Sequence, residues 1–151
     1  SERRTNQILD PNWSEQNAFL AQNEGLESGL MILQYVSAAV LAEMNLLANS
    51  VTTTNIPVSL GKEDHVSMGA TGAYRLFKQT KFLSLILANE FICSSVALDN
   101  ISETSSDSVT LIHSWIREIV RPLEGDRSFS IDTENLASKI LDGSLCNVFE
   151  G

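Results

Sequence analysis

Residues 29–48, GLMILQYVSAAVLAEMNLLA, are apolar around nearly the whole circumference of a helix, interrupted only by Gln34, Ser37, Glu43 and Asn45. A helix of that kind cannot rest on a surface, because every side of it needs cover. Two environments provide it: a bilayer, which takes about 20 apolar residues, or the middle of a large helical bundle. Glu43 and Asn45 fall inside the span, no aromatic belt brackets it and no basic flank orients it, so a bundle is expected and a membrane is not. Ala38, Ala39 and Ala42 let a neighbouring helix approach closely.

The rest of the chain supplies elements of the same kind. SERRTNQIL at 1–9 is helix-compatible and stops at Asp10-Pro11, since proline disfavours helical geometry in the residue before it. Residues 10–27 are polar and irregular, with Trp13 and Phe19 expected as anchors on the core, and Ser28 is placed to cap the apolar helix. A connector rich in threonine and valine follows at about 50–65, where Pro57 and Gly61 rule out a continuous helix. A second long helix is predicted from Val66 to about Leu98, with Leu76, Leu83, Leu87 and Phe91 on one stripe and Arg75, Lys78, Gln79 and Lys81 on another. Beyond a polar break at 101–108, a third runs from about Asp107 to Val120 and ends before Pro122. A fourth runs from about Thr133 to Asp142, capped by Asp132 and stopped by Gly143. No internal repeat or low-complexity segment occurs. The fold class is all-α: a long-helix bundle with an extended loop at about 50–65.

Charge and cysteine content narrow the function. A net charge of −9 excludes nucleic acid, which demands a basic face, and disfavours anionic membrane surfaces. The apolar share of 43% against 19% charged residues excludes a disordered chain and points to extensive burial, within one chain or between several. Cys93 and Cys146 make no disulfide framework; both are expected as small buried hydrophobes in a reducing, cytoplasmic protein. The chain starts Ser-Glu-Arg-Arg with no charged-then-apolar leader, so no signal peptide is expected and the chain reads as one entered part-way along a longer protein.

The chemistry concentrates in SLGKEDHVSMGATGA, 59–73, where Lys62, Glu63, Asp64 and His65 run straight into a tract of small residues. Capping of the following helix explains part of this, because free amides and the helix dipole favour Glu63 and Asp64 there, and Asp64 or Ser67 has the right place to cap. No metal site is expected: adjacent residues cannot converge on one ion, and neither a histidine pair at helical spacing nor a paired-cysteine motif is present. A Cys93–His65 nucleophile fails because Cys93 lies mid-helix among apolar neighbours, which raises its pKa and hides it. Gly69-Ala-Thr-Gly72 lacks the lysine and hydroxyl residue of a phosphate loop.

KEDHVSMGATGAYRL resembles the Gln-Glu-Asp-His-Val-Ser-Met segment of the aromatic amino acid ammonia-lyases, most closely the histidine ammonia-lyase branch. SERR at the start, GLESGLMILQYVSAAVLAEMN at 25–45 and GDRSFSIDTENLASKIL at 125–141 resemble the C-terminal third of that family, in the same order and at similar spacing. The resemblance implies that 1–151 is the C-terminal helical portion of such a protein, with the catalytic N-terminal portion absent from this chain. It implies a full-length enzyme that eliminates ammonia from an aromatic amino acid, from L-histidine to trans-urocanate in the branch named. The reaction uses a methylidene-imidazolone electrophile made from an Ala-Ser-Gly triplet. No such triplet occurs here, so the chain holds no cofactor of its own, and neither Tyr35 nor Tyr74 matches the family's catalytic tyrosine.

What the resemblance assigns to this chain is Glu63, the active-site glutamate, as a catalytic and substrate-binding residue. A carboxylate suits the task, since it accepts a hydrogen bond from an ammonium or an imidazole N–H, and burial near a helix start lets its pKa be tuned. Lys62 departs from the family pattern: Gly61-Lys62 stands where the family has Asn-Gln. Lys62 has the charge to pair with Glu63 or to bind a substrate carboxylate. His65 is expected to orient the loop. Other departures are Glu27 in place of an asparagine and Asn49-Ser50 in place of His-Pro, so tyrosine or phenylalanine lyases and the related aminomutases remain alternatives, as does a non-catalytic helical oligomerisation module. The implied partners are further copies of the chain, a tetramer in the family, and a small aromatic amino acid. The tetramer matches the separate expectation that helix 29–48 needs cover on every side.

Overall fold

The computed structural model describes residues 1–103 and 105–149. Among them the chain forms α1 (Glu2–Leu9), α2 (Pro11–Ser14), α3 (Met31–Leu47), α4 (Gly69–Asp99), α5 (Asp107–Ile119), α6 (Ser130–Leu141) and α7 (Ser144–Asn147). Single 3-10 turns occur at Ala18–Leu20, Val51–Thr53 and Ser59–Gly61. Among the described residues, β pairing is limited to isolated bridges, Glu24 with Glu27 and Val58 with Glu63. The all-α bundle with its extended loop is the fold observed.

The axis is α4, about 46 Å long at 1.5 Å per residue, on which α1, α3, α5 and α6 all pack. Ala88, Ile92, Cys93 and Val96 repeat at helical spacing on its C-terminal half and meet Leu30, Leu33, Leu136 and Val120 in one core. Burial pushes the Cys93 thiol up to about 12, with the Glu90 charge adding to the effect. Within the core Asn89 has no solvent exposure and is fully partnered. Its amide donates to Ser37 Oγ at 3.0 Å and to the Leu33 carbonyl at 3.3 Å, and its Oδ1 accepts from Thr133 Oγ1 at 2.9 Å. One side chain thereby ties α3, α4 and α6 together.

The other end of the molecule is different. α3 runs antiparallel to α4, with the Met44 carbonyl accepting from Gln79 and the Asn49 carbonyl accepting from Arg75 at 2.8 Å. Of α3 only Leu33 and Ser37 are buried, while Ile32, Tyr35, Val36, Leu41 and Leu46 are exposed. The first buried residue of α4 is Ser84, about 22 Å along the axis from Gly69. The two helices thus project from the core as an apolar hairpin with the 48–68 loop at its tip. By length and hydropathy alone Met31–Thr53 and Gly69–Asp99 are each sufficient to cross a membrane.

Several local expectations are corrected. Ser28 does not cap α3: its amide donates to Asp126 and its carbonyl accepts from Met31, and the helix starts two residues later than expected, at Met31. Trp13 is 65% exposed and anchors nothing, whereas Phe19 does pack on the core. α4 begins at Gly69, three residues later than expected, and ahead of it the Val66 amide donates to Asn55 and the Gly69 amide to Ser67 Oγ. Only the end of its leucine stripe reaches the core: Leu76 and Leu83 are exposed, Leu87 lines a cleft facing α5, and Phe91 lines that cleft and packs on the core. α6 begins at Ser130, and Asp132 pairs with Arg127 in place of capping. Gly143 does stop α6, with a left-handed φ of 84°. Cys146 is exposed, because α7 is a single turn at the edge. In the polar break at 101–108, residue 104 lies outside the described residues.

Candidate active-site loop

The loop between α3 and α4 holds a definite shape with little help from burial. Val58 and Glu63 exchange both backbone hydrogen bonds, at 3.0 and 3.3 Å, and close the four residues between them into a tight turn. The Gly61 amide donates to the Val58 carbonyl and the Lys62 amide to the Ser59 carbonyl. Ser59, Leu60 and Gly61 all take left-handed backbone, with φ of 54°, 58° and 81°. Glycine does so freely, but for a residue with a Cβ the conformation costs roughly 1–2 kcal/mol. Two such residues in succession persist only where their surroundings over-determine them.

The remaining restraint is Asn55. Its Nδ2 donates to the Asp64 carbonyl at 3.0 Å and its Oδ1 accepts from the Val66 amide at 2.9 Å, so it clamps the segment leaving the turn to the segment entering it. Ser67 Oγ then accepts from Gly69 at the start of α4. Neither capping candidate named from sequence caps α4: the N-cap position is Met68, Ser67 sits one residue before it, and Asp64 offers its carbonyl to Asn55.

Lys62, Glu63, Asp64 and His65 are adjacent and all exposed. Among the described residues no ion pair joins Lys62 to Glu63. Nor is any group of three His, Cys, Asp or Glu residues there placed to hold a metal ion. The 630 Å³ cleft of this chain lies elsewhere, between the start of α3 and 126–134, and the 250 Å³ cleft lies between α4 and α5. The loop therefore presents a carboxylate on a hydrogen-bonded backbone, able to accept a hydrogen bond from an N–H donor, and neither of these clefts is lined by it.

A second fixed point frames α3. Asp126 accepts from the Ser28 and Gly29 amides, both at 2.9 Å, and joins the entry to α3 with the entry to α6. Neither Asp126 nor Asn55 was singled out from the sequence; an asparagine two residues before Pro57 is a turn signal of the ordinary kind.

The family model for aromatic amino acid lyases matches residues 1–118. The chain belongs to the aromatic amino acid lyase family. This lyase chain is 37% identical to the histidine ammonia-lyase of Symbiobacterium thermophilum over 151 residues, which is 99% of the chain and 30% of that protein. Its fold matches the crystal structure of histidine ammonia-lyase from Trypanosoma cruzi with a TM-score of 0.92 at 28% identity, covering 97% of the chain and 29% of that structure. Tyrosine aminomutase from Streptomyces globisporus matches equally well, with a TM-score of 0.93 at 27% identity, covering 99% and 29%. The lyase chain thus spans about 30% of the length of the curated relatives it matches.

Proposed function

We propose that residues 1–151 are the C-terminal helical portion of a histidine ammonia-lyase that converts L-histidine to trans-urocanate and ammonia in the cytoplasm, with Glu63 as its contribution to the active site. The observation that carries this reading is the loop itself. A carboxylate sits on a hydrogen-bonded turn with left-handed backbone at Ser59 and Leu60, at the tip of a hairpin whose apolar flanks stay exposed among the described residues. Strain of that kind collects at functional sites. The uncovered flanks are where further copies of the full-length protein, four in all, pack and roof the loop.

In that setting Glu63 accepts a hydrogen bond from the substrate ammonium or imidazole N–H. Lys62 faces the substrate carboxylate as a point charge. The methylidene-imidazolone electrophile supplies the leaving-group activation. No Ala-Ser-Gly occurs in this chain, so its own residues do not form that group.

A second reading, an aminomutase that moves the amine, draws on the equal fit to tyrosine aminomutase and on Lys62. Full-length protein supplied with L-histidine, L-tyrosine and L-phenylalanine separates the two. Urocanate as the dominant product supports the first reading; coumarate, cinnamate or a β-amino acid in its place contradicts it.

A further inference from the structure

We infer that Asn55 is a positioning residue for Glu63, acting through the backbone of 64–66 without touching substrate; the inference rests on the role proposed for Glu63. The Asn55 carboxamide meets the Asp64 carbonyl at 3.0 Å and the Val66 amide at 2.9 Å. These two groups flank His65 along one edge of the backbone, so the carboxamide stands in for a strand that is not there. Three residues earlier in the loop than Glu63's own backbone partner, it completes a frame. Val58 fixes the amide and carbonyl of Glu63, and Asn55 fixes the next carbonyl along. Pro57 lies between the two anchors and locks φ there, so both restraints come from one short, stiff segment.

The side chain must donate and accept at once. Asparagine does both; aspartate keeps the acceptor for Val66 but sets a carboxylate oxygen against the Asp64 carbonyl, and serine has a single oxygen to divide between the two. Releasing Asn55 leaves the Asp64 carbonyl and the Val66 amide without their shared tie to the segment entering the turn, so the backbone next to Glu63 loses its fixed position.

The test uses the full-length protein with Asn55→Ala, Asn55→Ser, Glu63→Gln and the Asn55→Ala/Glu63→Gln double variant. Expected for Asn55→Ala is a fall in kcat of about tenfold or more, with assembled mass retained and faster amide exchange in peptides spanning 63–66. Added to Glu63→Gln, the same change costs less than about twofold, because a residue that works through Glu63 has nothing left to position. Near-normal turnover in Asn55→Ala, or an equal loss in both backgrounds, would overturn the assignment. So would loss of assembly in both the alanine and serine variants, which would make Asn55 a folding residue. Near-normal turnover in Glu63→Gln alone would remove the role of Glu63 and the positioning role with it, and that single variant identifies this failure.

Discussion

Thr133 on α6 donates a hydrogen bond to Asn89 on α4 at 2.9 Å, in a part of the core where Asn89 has no contact with solvent. The Asn89 amide passes the connection on to Ser37 and Leu33 of α3. Thr133→Val keeps the shape and removes the donor, leaving Asn89 Oδ1 buried and unpaired at a cost of about 1–3 kcal/mol. Thermal unfolding is expected to show a lower midpoint for Thr133→Val than for Thr110→Val. Thr110 is exposed and bonds only within its own helix.

Gly29 and Gly25 both have left-handed backbone, with φ of 53° and 82°, yet their surroundings differ. A Cβ on Gly29 would lie 2.5 Å from the Phe19 carbonyl oxygen and 2.9 Å from the Ala21 amide nitrogen, both backbone atoms that cannot move aside, whereas a Cβ on Gly25 meets nothing within 4 Å. Gly25→Ala is expected to cost about 1 kcal/mol from conformation alone. Gly29→Ala adds the clash and the loss of the Asp126 cap, and the larger drop in melting temperature is predicted for it.

Glu90 gives the fold a pH dependence of known sign. Burial pushes its carboxyl up, but hydrogen bonds from Arg4 and Ser1 and the Arg4 charge outweigh this and hold it below its ordinary value. A carboxylate depressed in the folded state contributes stability that is fully present above its unfolded pKa and is lost as pH falls through the folded one. Glu90→Gln is therefore expected to lower the melting temperature near neutrality and to converge with the unaltered protein under acid. Melting curves taken from about pH 7 to about pH 3 check this.

The exposed apolar side of α3 predicts assembly. Tyr35 and Leu46 are each 67% exposed, and removing such surface from water contributes about 25 cal/mol per Å². Leu46→Glu in the full-length protein is expected to reduce the assembled mass measured by light scattering; an unchanged mass would show that this face is not a contact between copies.

The helices were legible because 3.6-residue spacing of apolar side chains is a local signal: 29–48 and 107–120 are found almost where the pattern puts them. Capping at Ser28 and Asp132 was not: Ser28 is met by Asp126 from a distant part of the chain, and α6 starts at Ser130, so Asp132 falls inside its first turn and pairs with Arg127 five residues back. The leucine stripe of α4 held only at its Phe91 end, while Leu76 and Leu83 stay exposed. Apolar residues lie on more than one side of that helix, and the sequence does not say which side a neighbour will take. At the site, Glu63 was reached through resemblance to a family, not through its spacing. The left-handed turn at Ser59 and Leu60 has no signature at all, because neither residue type announces a positive φ.

The most direct measurement is turnover of L-histidine by full-length protein carrying Glu63→Gln, followed by urocanate absorbance. The account predicts a loss of at least about tenfold with the assembled mass unchanged, and no lyase activity from residues 1–151 alone. Near-normal turnover in the Glu63→Gln protein would contradict it.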